Sequence, residues 1–295
     1  MDIQLAWFAM GIYAAAFMFF LVTFLERKRG HSISGIVILA IGLAVHIAAT
    51  VARANVDGHL PFASRFEALT FYGLVTAGLT LVIGISRRDL PVAFLILPLV
   101  IVFMVGALVG KAKAPHALPP VLNSPFFLIH VVLAFVGYGI YTLNLGLGIG
   151  ALFARSATSG REDSGSQGLK ESSRSHSNPG ILDSSIPAHL ARLGSVEELL
   201  GLVRKLVPWG LLTLGAGIAL GGVWALFSWG TWWGWDPKET GALVTWMSYL
   251  VYVHSPVWKG RPRRAEAWLP LAAYLFLLLA FLGVNLLKGG LHAYQ

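Results

Sequence analysis

The sequence predicts an all-α integral membrane protein of eight transmembrane helices, with both termini and a tryptophan-rich loop between helices six and seven on the external side. Three observations predict it. Apolar residues make up 56% of the 295 and charged residues 12%, about half the charge of a soluble domain. Apolar runs able to cross a bilayer recur eight times, roughly at 3–25, 33–52, 67–85, 91–110, 126–154, 206–228, 240–258 and 266–288. Basic residues alternate between loops: 16 of 22 fall in the loops at Arg27–Arg29, Arg87–Arg88, Arg155–Lys205 and Lys259–Arg264. Cytoplasmic loops collect Lys and Arg, so those loops are assigned to the cytoplasm.

Residues 1–154 then hold five spans, 155–205 a cytoplasmic insert, and 206–295 three more spans. The first run is long and lacks a basic start, so it reads as a span and not a signal peptide. The second carries His46, six residues inside an outer end near Ala52, about 9 Å deep at 1.5 Å per residue. A polar residue inside a span is a functional candidate; a structural histidine bonded to a neighbouring carbonyl is the commoner case. The outer loop from Arg53 to Glu67 brings two external guanidiniums, Arg53 and Arg65. Such groups pair with carboxylates, although snorkelling at the interface is the plain alternative.

Spans three and four are uniformly apolar, and Pro115, Pro119 and Pro120 stiffen the loop after them. The fifth run carries His130 about one turn inside its outer end. From Ser156 to Gly180, eight serines and four glycines make a flexible insert. Ile186 to Val207 regains an apolar pattern, with Ser195 and Glu198 spaced as a capping box. This predicts a short amphipathic helix on the inner face, separate from the sixth span. Asp236-Pro237 opens the seventh helix as cap and first turn. His254 lies about 21 Å from that span's outer start near Thr240, and His292 emerges externally after the eighth.

No cysteine is present, which excludes a disulfide or a thiolate nucleophile. The net charge of +8 follows from the cytoplasmic loops and implies no nucleic acid.

Six of the ten tryptophans fall in 224–246, centred on Trp229-Gly230-Thr231-Trp232-Trp233-Gly234-Trp235-Asp236-Pro237-Lys238-Glu239. Indole is a broad apolar plane with one N–H donor. An interfacial aromatic belt explains two or three rings, not six in 23 residues followed by Asp-Pro-Lys-Glu. A platform for another flat apolar body, such as a porphyrin, explains the density. His130 and His292 share one depth beside it, as two axial ligands of one heme iron must. His254 is too deep to join them. Its depth also differs from that of His46 by about 12 Å, which argues against a b-type electron-transfer heme held by this chain alone. Asp236 and Glu239 are the acidic candidates for a catalytic role, which spacing alone does not establish.

The segment resembles the tryptophan-rich "WWD" signature of heme-handling proteins in cytochrome c maturation, approximately W-G-x-Y-W-x-W-D-P-K-E-T. Trp229, Gly230, Trp233, Trp235, Asp236, Pro237, Lys238, Glu239 and Thr240 match, and Trp232 stands in place of the tyrosine. The similarity is to the CcsA/ResC family, the integral-membrane half of the System II cytochrome c synthase. Arg53, Gly58, Pro61, Phe66 and Glu67 carry a second, weaker resemblance, in which Ser64 and Phe66 depart from the usual Asn and Tyr. The ending V-N-L-L-K-G-G-L-H-A-Y carries a third.

The resemblance implies heme b as substrate and bound ligand. It implies His130 and His292 as external iron ligands, and His254 as ligand of a transmembrane heme shared with a CcsB/ResB partner. Trp229, Trp232, Trp233, Trp235, Asp236, Arg53 and Arg65 become heme-binding candidates. The reaction implied is attachment of heme to the CxxCH thiols of apocytochrome c at the outer face of a bacterial plasma membrane; a thylakoid is the less expected setting. A heme carrier of the CcmC type, without synthase activity, is the alternative. Eight spans, where CcmC proteins typically have six, argue against it.

Overall fold

The computed structural model describes residues 2–26, 29–87, 92–109, 118–154, 193–260 and 263–287. His292 and most of the insert lie outside them. Among the described residues the chain is helical, without strands. The long helices are α1 (Asp2–Glu26), α2 (Arg29–Asp57), α3 (Arg65–Arg87), α4 (Ala93–Val109), α5 (Pro125–Phe153), α6 (Val196–Trp229), α7 (Pro237–His254) and α8 (Trp268–Leu287). A 3-10 turn, Pro120–Leu122, precedes α5; a one-turn helix, Pro256–Lys259, and a 3-10 turn, Arg264–Ala267, join α7 to α8.

These eight occupy the places of the eight expected spans, but among the described residues six helices are long and apolar enough to cross a membrane. α4 has 17 residues, about 25 Å of rise against a hydrocarbon core of about 30 Å. α7 has 18 residues, and Lys238, Glu239, Thr240, Thr245, Ser248 and His254 dilute its apolar content. The fold is that of a multi-pass membrane protein.

Several boundaries differ from the sequence expectation; α2 runs to Asp57, five residues past the expected outer end near Ala52. Of the surface helix expected over Ile186–Val207, residues 186–192 lie outside the described residues, and from Val196 the chain runs unbroken into the sixth span as one helix, α6, of 34 residues that continues through Pro208. Val196, Leu199, Leu200, Val203 and Val207 are buried along its first three turns, so the stripe that suggested a membrane-surface helix faces the protein core. The expected capping box is present: Ser195 Oγ accepts from Glu198 N at 3.2 Å, and Ser195 N donates to Glu198 at 3.0 Å. α7 ends at His254, four residues before the expected end at 258. Pro256 disfavours helical backbone at Ser255, whose hydroxyl donates to the Tyr252 carbonyl at 2.7 Å.

α5 and α6 pack along much of their length and form the centre of the bundle; α3, α4 and α8 also pack on α5, while α1 and α2 pair beside α3 and α4. Small residues let the two central backbones approach, as membrane helix pairs require. A Cβ on Gly217 would stand 3.1 Å from the Ala134 nitrogen. In hydrocarbon, polar groups need internal partners. Accordingly Tyr72, Thr142 and Tyr274 bond one another at 2.8 to 3.3 Å between α3, α5 and α8. Next to this triad, Tyr141 and Tyr249 stack at 3.7 Å and 4°.

The end of α7 is held from α6. Arg204 pairs with buried Glu266 at 2.6 Å and donates to the Val257 and Gly260 carbonyls at 2.8 and 2.7 Å. The Tyr252 hydroxyl donates to the same carboxylate at 2.6 Å.

Candidate functional site

His130 stands in the second turn of α5, after Ser124 and Pro125 start the helix. Its Nδ1 lies 2.7 Å from the Gly217 carbonyl on α6. A carbonyl only accepts, so Nδ1 carries the proton and donates it, which leaves the Nε2 lone pair available. Among the described residues no hydrogen bond engages Nε2. The approach depends on a missing side chain: a Cβ on Gly221 would lie 2.7 Å from Nδ1. Trp224 holds the other side, with its ring 6.5 Å from the imidazole and 9° from parallel. Its own Nε1 donates to the Val121 carbonyl at 2.9 Å, which ties the turn before α5 to α6.

The tryptophan segment continues from there. Trp229 closes α6 and meets Trp224 edge-on at 4.7 Å. Gly230 takes the left-handed conformation that ends the helix, with φ of 76°. Gly222 admits the backbone of Trp232, whose carbonyl oxygen would stand 3.2 Å from a Cβ there. Trp233 and Trp235 meet edge to face at 5.9 Å. Trp232 and Trp235 are 56% and 70% exposed, an unusual condition for the largest apolar side chain. Trp235 also has φ of 54°, a left-handed backbone that a bulky residue adopts at a cost of about 1–3 kcal/mol.

Asp236 and Glu239 account for how that strain is held. Asp236 accepts from Lys238 N at 2.8 Å and caps α7, with Pro237 in the first turn. Glu239 reaches back to Gly234 N at 2.9 Å and Asp236 N at 3.4 Å. Glu239 thus grips the backbone on either side of Trp235, and Asp236 caps the helix that follows.

His254 is the last residue of α7 and is exposed. Its Nδ1 lies 2.9 Å from the Leu250 carbonyl, so it too presents Nε2 outward. It belongs to a different part of the molecule from His130.

Arg53 is surrounded by carboxylates. That side chain is 5% exposed and faces Asp2 at 3.4 Å, Asp57 at 2.5 Å and Glu67 at 3.4 Å. These carboxylates arrive from α1, the end of α2 and the start of α3, and they enclose the guanidinium instead of leaving it for a ligand. Glu67 also accepts from Ala63 N and Ser64 N at 2.8 and 3.1 Å. Ser64 Oγ accepts from Glu67 N at 3.3 Å; serine and asparagine both fill such a capping position. Arg65, by contrast, is exposed at the first residue of α3.

Gly217, Gly221 and Trp224 were not among the residues singled out from sequence. The G-A-G-I-A-L-G-G run at 215–222 carried the signal, a four-residue spacing of glycines on a membrane helix.

This fold and site define a class: a multi-pass helical membrane protein with a glycine-seated histidine beside a tryptophan-rich segment. The family model described as cytochrome C assembly protein matches residues 9–292. The chain therefore belongs to the cytochrome c assembly proteins, in the CcsA family. It is 32% identical over 302 residues to the cytochrome c biogenesis protein CcsA of Prochlorococcus marinus strain MIT 9303, covering 98% of this chain and 92% of that one. The CcsA of strain AS9601 is 30% identical over 274 residues, covering 91% and 86%. Among solved structures, the cytochrome c heme lyase CcmF aligns with a TM-score of 0.61 at 16% identity. That alignment covers 96% of this chain and 48% of CcmF, so the chain spans about half of its length.

Proposed function

We propose that this protein holds heme at the outer face of a bacterial plasma membrane for covalent attachment to the CxxCH thiols of apocytochrome c, in complex with a CcsB/ResB-type partner. The observation that carries the reading is the state of His130: Nδ1–H committed to the Gly217 carbonyl, Nε2 available. Metal-ligating histidines characteristically donate their other ring N–H in this way, which fixes the tautomer and raises ligand basicity. The residues fit the group. Trp232 and Trp235 expose indole faces of a size and polarity suited to a macrocycle.

Heme b is the cargo, and its vinyl groups supply the carbons to which the thiol sulfurs attach. His130 and His292 serve as its external axial ligands. The Trp segment fixes the ring plane, and fixed orientation supplies a large share of the rate. Asp236 and Glu239 shape the loop and are not assigned a proton transfer. Arg65 is the cation for the propionates, in place of enclosed Arg53. His254, exposed at the end of α7, ligates a second heme together with a histidine of the partner.

The test is purification of the chain with and without the partner, reading heme content and thioether formation on a CxxCH substrate. Heme binding without thioether formation in the complex would favour a carrier of the CcmC type.

A further inference from the structure

His46 has no part in the site above, yet it is among the most enclosed polar side chains of the molecule. It is 1% exposed, between α1 and α3. Its Nδ1 lies 3.1 Å from the Tyr13 hydroxyl, not on a carbonyl as the sequence suggested. Its Nε2 is buried without a hydrogen-bond partner among the described residues. The deficit holds for either tautomer. If Tyr13 donates to Nδ1, Nε2 carries a proton with no acceptor; if Nδ1 donates, Nε2 is an acceptor with no donor. An orphaned buried polar atom is costly, so native structures supply a partner.

What can reach it is narrowly limited. His46 lines a small cavity together with Ala6 of α1, Ala49 and Arg53 of α2, and Glu67 and Thr70 of α3. The space suits about one water molecule, which needs polar partners on more than one side. It admits no macrocycle. No group of three or more metal-ligating side chains occurs among the described residues. Other lining residues are polar: Arg53 and Glu67 form an ion pair, and Asp2 and Thr50 line the same space.

We propose that this cavity is a water-binding site, in which structural water supplies the partner that His46 Nε2 lacks. Water both donates and accepts, so it satisfies either tautomer. Water there extends the hydrogen-bonded pair of Tyr13 and His46, which joins α1 to α2. This assignment is independent of the heme reading.

A wet cavity and a dry one respond to filling with opposite signs. Ala49 lines the space and is 4% exposed. The experiment measures the thermal midpoint of the detergent-purified full chain for Ala49→Val, His46→Phe and the double variant, with His46→Leu as a second apolar background. The proposal expects Ala49→Val to lower the midpoint by several degrees in the wild type, because it expels the water and strands Nε2. In the His46→Phe or His46→Leu background the same change should cost much less. A rise in the wild type would show a dry void being filled and would overturn the proposal. An equal fall in all backgrounds would show simple overpacking and would overturn it too. A high-resolution map with the cavity empty would do the same, whatever the stabilities.

Discussion

Gly221 of α6 lies against the His130 imidazole of α5 so closely that a Cβ there would stand 2.7 Å from Nδ1. The same nitrogen must stay 2.7 Å from the Gly217 carbonyl to keep its proton on that side. Gly221→Ala is therefore expected to push the ring off this carbonyl. Losing the partner that orients a ligand histidine costs about 10- to 100-fold in metal affinity. Heme absorbance per mole of purified protein measures it. Gly201→Ala, on the same helix with open space around it, should leave heme unchanged.

Asp236 distinguishes a cap from an acid. Asparagine caps helices as well as aspartate does, whereas alanine costs about 1 kcal/mol. Asp236→Asn should retain near wild-type cytochrome yield and thermal midpoint, and Asp236→Ala should lower both. An inactive, stable Asp236→Asn would assign the carboxylate a proton.

Arg53 and Arg65 should part company. Arg53→Gln leaves Glu67, which is fully buried, without its charge partner, and breaking a buried pair costs about 3–5 kcal/mol. Denaturation of the purified protein should show that loss. Arg65→Gln removes an exposed charge and should change stability by less than about 0.5 kcal/mol. It should nonetheless weaken heme retention, since that residue is the one proposed to meet the propionates.

Sidedness is open to labelling. With Ser228 or Ala293 replaced by the only cysteine, an impermeant thiol reagent should modify intact cells. Modification only after access from the cytoplasmic side would invert the proposed orientation.

Features encoded within a few residues were legible in the sequence. Ser195 with Glu198 and Asp236 with Glu239 each satisfy backbone donors three residues apart, and both caps form as spaced. The tryptophan cluster and the position of His130 were legible for the same reason. What depends on distant partners was not. Arg53 meets Asp2, 51 residues away, and Glu67, so an apparently free external cation is enclosed. The tautomer of His130 is set across 87 residues by Gly217. The unbroken α6 escaped notice because its amphipathic stripe has the same period whether it faces headgroups or, as here, the core around α5.

The central claim is that two separate irons are served, one by His130 with His292 and one by His254. The most direct measurement is the visible spectrum and cytochrome yield of His130→Ala, His292→Ala and His254→Ala, each in complex with the partner, with and without imidazole. The account predicts that the first two lose the same heme and regain it in part with imidazole, while His254→Ala spares that heme's spectrum, lowers yield and responds less to imidazole. Identical spectra and identical rescue for His254→Ala and His292→Ala would mean one shared heme and would contradict it.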